Sequence, residues 1–191
     1  MYIYLLENSS PDAKNIMFYG HYDKQPHGEG WEAPKHPTEP VTIDGWLYGR
    51  GGCDDGYSAI SCLLGIKVAQ LMGKKLPRVL IVIETEEESG SESLLYLLDK
   101  AKDIIKTPDY CFCMDSGCMD YESLWMTSSL RGCAKVDAKI EHSKIAYHSG
   151  EAGGIVPETF AILRTLLNRL DDPETGKVHD DFQPKEYPEW K

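Results

Sequence analysis

No stretch of this sequence approaches the ~18 consecutive apolar residues that a membrane-spanning helix needs, so a helical membrane protein is not expected. No secretory leader pattern precedes the first apolar strand signal, and cytoplasmic residence is the expectation. Positive charge is scarce as well. Twenty Lys and Arg stand against 31 Asp and Glu, a formal net charge of -11. Such a surface repels a phosphate backbone, which argues against nucleic acid as a partner. Internal repeats and low-complexity tracts are absent. So is a regular cysteine framework: Cys53, Cys62, Cys111, Cys113, Cys118 and Cys133 keep no framework spacing. Buried, reduced thiols are the expected state, because Cys111 and Cys113 have no second pair to complete a zinc knuckle.

What remains is a chain of 191 residues, 41% of them hydrophobic, enough to bury a core. Asn15-Ile16-Met17-Phe18-Tyr19 reads as a strand that delivers His21 to its carboxyl end. Residues 24–45 form a long Pro- and Gly-bearing loop, and Trp46-Leu47-Tyr48 a short strand after it. From Gly56 to about Met72 apolar residues recur at helical spacing, with Asp55 where an N-cap belongs and Gly73 where a stop belongs. Val79-Leu80-Ile81-Val82-Ile83 has the unbroken apolar character of a strand covered on both faces, and Tyr110-Cys111-Phe112-Cys113-Met114 is read the same way. Between them, helical spacing runs from Glu92 to about Lys102.

Alternating strands and helices imply an α/β fold with a doubly wound, mainly parallel sheet. Ligands of such sheets gather at the carboxyl ends of the strands. His21, Glu87, Glu88 and Asp115 all fall there. After about residue 130 the pattern changes: Ala134, Val136, Ala138 and Ile140 alternate with charged residues, as in a half-exposed antiparallel strand. A helix from about Pro157 to Leu170 follows, and a polar tail from Asp171. Two domains are therefore expected, residues 1–129 and the beginning of an α+β domain over residues 130–191.

Taken singly, the polar motifs are weak. His21-x-Asp23 suits a surface loop, Asp115-Ser116-Gly117 is good turn chemistry, and His148 sits in a Gly-rich loop. Asp54-Asp55 follows three glycines, but the Lys-Ser/Thr ending of a phosphate-binding loop is missing and two aspartates repel phosphate. Glu86-Glu87-Glu88 is more telling. Three carboxylates at the end of a buried strand raise one another's pKa unless a cation is present. The competing reading, a charged strand end that caps the next helix through Ser91, is compatible with it.

In order, Gly20-His21-Tyr22-Asp23-Lys24-Gln25-Pro26, Gly49-Arg50-Gly51 with Asp54-Asp55-Gly56, Glu87-Glu88-Ser89-Gly90-Ser91, Asp115-Ser116-Gly117, Leu130-Arg131-Gly132 and His148-Ser149-Gly150 resemble the M20 family of zinc peptidases and amidohydrolases. The resemblance covers roughly residues 15–157. It implies two zinc ions, with Mn2+ or Co2+ as possible substitutes, bridged by Asp54 and a water. His21 and Asp115 would complete one ion and Glu88 would serve the other. Glu87 would be the general base, Asp23 would orient His21, and the Asp54–Asp55 peptide would be cis. His148 would reach across a homodimer to polarise the scissile carbonyl. Asp at position 115 implies hydrolysis of dipeptides or small peptides. An N-acyl-amino-acid deacylase and a catalytically inert module are the alternatives. A final histidine ligand for the second ion has no match, since only His179 follows His148.

Overall fold

A computed structural model describes residues 1–183; residues 184–191 of the polar tail lie outside it. The chain divides into two units, Met1–Ser129 and Leu130–Lys191. The first is built on a four-stranded sheet of order β1-β5-β2-β6. Its strands are β1 (Tyr2–Leu6), β2 (Asn15–His21), β5 (Arg78–Glu84) and β6 (Tyr110–Cys113). β2 pairs in parallel with β5 and β6, while β1 joins β5 antiparallel. The expected mainly parallel α/β sheet is present, with one antiparallel edge.

The sheet's hydrophobic centre is β5. Val79, Leu80, Ile81 and Val82 are buried because strands flank β5 on both sides and α1 (Ser58–Leu71) lies against it. Cys62 of α1 meets Val79 and Ile81, with Leu6, Phe18, Ile66 and Met114 around them. The other side of α1 is apolar too, and Ile60, Leu64 and Leu71 remain largely exposed.

One expectation about this sheet fails. β6 is an edge strand with all four residues exposed, including Cys111 and Cys113. It has β2 on one side only, and an apolar run is buried on both faces only where layers cover both. All six cysteines stand unpaired, but Cys62 alone is buried.

The loop after β2 ends in a hairpin of β3 (Val41–Ile43) and β4 (Trp46–Tyr48). Asp44 and Gly45 turn it with φ of 51° and 83°, the twin positive angles that suit a tight two-residue connection. Beyond β5, a 3-10 turn at Glu87–Ser89 leads to α2 (Leu94–Lys100) and α3 (Lys102–Ile105).

The amino ends of β2 and β5 are tied by a buried polar clamp. Arg78 donates to Asn15 Oδ1 (2.8 Å) and to the carbonyls of Ile104 (2.5 Å) and Ile105 (3.2 Å), and its Nε to Glu7 Oε2 (3.1 Å). Asn15 Nδ2 donates to the Ile105 and Thr107 carbonyls, both at 3.0 Å. These bonds satisfy the carbonyls that α3 leaves open at its end.

In the second unit, α4 (Ser149–Ala152) and α5 (Thr159–Leu167) are helical. The strand expected over residues 134–140 does not form. Its alternating pattern is real, but a strand persists only with a ladder partner, and none is paired to it among the described residues.

Candidate metal centre

The carboxyl ends of β2, β5 and β6 and the turn before α1 bring six polar residues together. His21, the last residue of β2, is fully buried. Its Nε2 lies 3.1 Å from Asp54 Oδ1, 3.7 Å from Asp115 Oδ2 and 4.0 Å from Glu87 Oε2. Donor atoms of His21, Asp54 and Glu88, and of His21, Glu87 and Asp115, fall within 4.8 Å of one another. His21 belongs to both sets, while the carboxylates are divided between them.

Asp23 links the parts. His21 Nδ1 lies 3.0 Å from the Asp23 carbonyl oxygen and 3.4 Å from its Oδ1. Asp23 Oδ1 accepts from the Glu87 N–H (3.2 Å) and Oδ2 from the Glu88 N–H (3.0 Å). One carboxylate thus pins the 3-10 turn that carries both glutamates. Glu86 serves the helix instead, accepting from the Ser93 N–H through Oε2 (3.0 Å). The expected cap through Ser91 does not form: Ser93 occupies the capping position of α2 without a side-chain bond, and Ser91 Oγ donates to Glu84 instead.

A carbonyl oxygen can only accept, so the Asp23 carbonyl fixes the proton of His21 on Nδ1. Neutral His21 then turns the bare lone pair of Nε2 toward Asp54, Asp115 and Glu87. Lone pair against carboxylates is repulsive unless a cation lies between. Without a metal, a proton is the substitute: burial lowers the His21 pKa, but the Asp23 carbonyl, Asp115, Asp54 and Glu87 outweigh it and the net shift is upward. Burial, with crowding by neighbouring carboxylates, raises the pKa of Glu87 and Asp115 against the pull of His21. Glu88 Oε1 is buried with no hydrogen-bond partner, while Oε2 accepts from Gln25 Nε2 (2.7 Å). An orphaned carboxylate oxygen, a bare imidazole nitrogen and carboxylates with raised pKa form a donor set that fits a divalent cation.

Several participants were not legible as such. Asp55 is wholly buried and accepts from the His21 N–H through Oδ2 (3.1 Å) and the Ser58 N–H through Oδ1 (3.2 Å). The expected N-cap role is thus shared, since Tyr57 occupies the capping position without a side-chain bond. Gly20 makes room for this arrangement: a Cβ there would overlap Ser58 Oγ and Asp55 Oδ2. Glu84, the buried last residue of β5, accepts from the Tyr19 hydroxyl and from Ser91 Oγ (2.9 Å). Only a polar residue directly after an apolar run could have flagged Glu84. The Asp54–Asp55 peptide is trans, and among the described residues the cis bond is Ala33–Pro34. Trans is lower by about 2.5–4 kcal/mol for a non-proline residue, and nothing in this turn overrides that preference. His148 stands in the second unit, exposed, with Nδ1 accepting from the Gly150 N–H (3.1 Å) ahead of α4.

The profile of the peptidase family M20/M25/M40 matches residues 17–179. The chain belongs to this family. Membership implies divalent metal ions, in agreement with the donor set around His21. Human Beta-Ala-His dipeptidase is 32% identical to this M20 chain over 168 residues, 86% of the chain and 33% of that protein. Cys-Gly metallodipeptidase DUG1 of Candida albicans is 34% identical over 179 residues, 89% of the chain and 36% of that protein. A crystal structure of human carnosine dipeptidase 1 superposes with a TM-score of 0.57 at 27% identity, over 92% of this chain and 37% of that one. The chain therefore spans about a third of the length of these relatives. No helix among the described residues is long and apolar enough to cross a membrane.

Proposed function

We propose that this chain carries the metal centre of a dipeptidase, and that residues 1–129 are its catalytic part and residues 130–191 the beginning of a lid or dimerisation domain. The observation behind the reading is the convergence of three carboxylates, Asp54 from the turn before α1, Glu87 after β5 and Asp115 after β6, on Nε2 of the buried His21. The relatives are named as dipeptidases, which supports dipeptides as substrates. His21, Asp54, Glu88 and Asp115 would hold the cations, with zinc the first choice for a mixed imidazole and carboxylate set. Cations there supply Lewis acidity and make water easier to deprotonate.

The chain's own residues then do the following. Asp23 keeps the His21 proton on Nδ1 and holds the Glu87–Glu88 turn against it. Glu87, its pKa lifted by burial, accepts a proton as a water oxygen bonds to the peptide carbonyl carbon. The same proton passes to the amide nitrogen as the carbon–nitrogen bond breaks, releasing an amine and a carboxylic acid, whose remaining proton then moves to the amine to leave carboxylate and ammonium products. His148 is proposed to polarise the carbonyl from the partner of a homodimer. Cytoplasmic residence belongs to the same reading, supported by six unpaired cysteines.

The assay is a panel of unmodified dipeptides against N-acyl-amino acids, with Zn2+, Mn2+ or Co2+ supplied to the active protein carrying this segment. Dipeptide cleavage exceeding that of acyl-amino acids is expected. Preference for acyl-amino acids would make the protein a deacylase, and no hydrolysis of either in any metal would contradict the catalytic reading.

A further inference from the structure

We infer that the turn Asp54–Ser58 does more than present Asp54: through Asp55 and Tyr57 it also positions the two ligands that Asp54 faces, His21 and Asp115. The inference rests on reading the cluster as a metal centre, and it adds two residues that neither ligate nor react.

Asp55 first. Both of its carboxylate oxygens are spent on main-chain donors, one of them the N–H of His21 itself. It is fully buried, so neither oxygen is available to a cation. What it does is join the last residue of β2 to the first turn of α1. Because Asp54 is its neighbour in the chain, the same contact sets the spacing between the Asp54 carboxylate and the His21 ring. Two bonds from N–H groups to a buried carboxylate are charge-assisted and stiff. Gly20 is the matching concession in β2, since any side chain there would displace Asp55 and Ser58 together.

Tyr57 does for Asp115 what Asp55 does for His21. Its hydroxyl donates to the carbonyl of Met114, and it lies 3.2 Å from the carbonyl oxygen of Ser116. These are the residues on either side of Asp115. The main chain there has little else to hold it. β6 is an edge strand, and its last ladder bond runs from the Met114 N–H to the Tyr19 carbonyl (2.8 Å). Past that point Ser116 bonds back to the Met114 carbonyl (2.9 Å) and its Oγ meets Thr127 Oγ1 (2.6 Å). Tyr57 is the group that ties this stretch to the turn bearing Asp54. The ligands at the ends of β2 and β6 are thus referred to one template, the five-residue turn that carries Asp54, and supporting partners that orient ligands in this way set a cation's affinity.

The test is calorimetric titration of the metal-free 191-residue chain with Zn2+, for wild type, Tyr57→Phe, Asp115→Asn and the double variant. Tyr57→Phe removes one hydroxyl and keeps the ring. It is expected to weaken Zn2+ binding about 10-fold, the lower end of what the loss of a ligand's supporting partner does. In the Asp115→Asn background the same change should have an effect of less than about twofold, because the residue it acts through is gone. Asp55→Asn, which replaces one acceptor by a donor facing an N–H, should weaken binding similarly and independently of Asp115. Three results would overturn the inference: Zn2+ affinity of Tyr57→Phe within about twofold of wild type, an undiminished loss in the Asp115→Asn background, or a Tyr57→Phe chain that no longer folds by circular dichroism, which would assign the hydroxyl to the fold. Wild type that binds no Zn2+ would remove the metal-centre reading itself, and the template with it.

Discussion

Replacing Glu87 by Gln in the active protein is expected to lower turnover by about a thousandfold, within the 10²–10⁴ that a positioned general base contributes. Metal content should stay at the wild-type level. The two side chains have nearly the same shape, so the bond from the Glu87 N–H to Asp23 and the turn it anchors survive the change. What Gln cannot do is accept a proton. Glu87 is equipped for that task, because burial and the neighbouring Asp115, Glu88 and Asp23 raise its pKa against the pull of His21. The measurement also separates two roles that the geometry leaves adjacent. Glu87 Oε2 lies 4.0 Å from His21 Nε2 and belongs to a donor set with Asp115. Were it a ligand and not the base, metal content would fall together with turnover. Normal turnover in the variant would rule out both roles.

The second large effect lies at the opposite end of the sheet. Arg78→Leu should destabilise the chain by about 3–5 kcal/mol, the scale for removing one member of a buried charged network. For a chain of this length that is a fall in melting temperature of roughly 10 °C, followed by circular dichroism. Arg78 is buried, and without it Asn15 Oδ1 and the carbonyls of Ile104 and Ile105 lose a donor inside the protein. Leu matches the apolar stem and supplies none of these bonds. Glu7 contributes less, because its side chain is 59% exposed and water can replace the guanidinium. A shift smaller than about 1 kcal/mol would mean that the clamp is dispensable and that apolar packing of β5 alone holds the strand starts.

Comparison of these two ends shows what could be read from the residues beforehand. β5 was legible because five apolar residues in a row have few alternatives to a covered strand. α1 was legible from spacing, and its observed limits, Ser58–Leu71, fall within two residues of the expected span. The polar positions His21, Glu87, Glu88 and Asp115 stood out because each lies within a few residues of the carboxyl end of an apolar run, where a chain turns and a carboxylate is conspicuous.

The failures have physical causes. β1 pairs antiparallel with β5, yet Tyr2-Ile3-Tyr4-Leu5-Leu6 lacks the alternation that announces a one-faced strand. β3 hid inside a long loop, although Asp44-Gly45 is a strong hairpin signal between Ile43 and Trp46. Residues 134–140 alternate well and form no strand, because pairing and not pattern makes a ladder. The long-range roles of Asp55, expected only as a helix cap, and of Tyr57 were hidden for another reason. Their importance lies in main-chain groups of residues far away in sequence, the His21 N–H and the Met114 and Ser116 carbonyls. Every residue has such groups, so nothing in their sequence marks them as partners.

X-ray absorption at the zinc edge reads the ligands of a bound ion directly, and the 191-residue chain loaded with Zn2+ is the sample. A first shell of oxygens with one imidazole nitrogen is expected, without sulfur, and His21→Ala should abolish the imidazole contribution and weaken loading. Sulfur ligands, or a spectrum unchanged by His21→Ala, would place the ion at cysteines or elsewhere and contradict a metal centre built on His21.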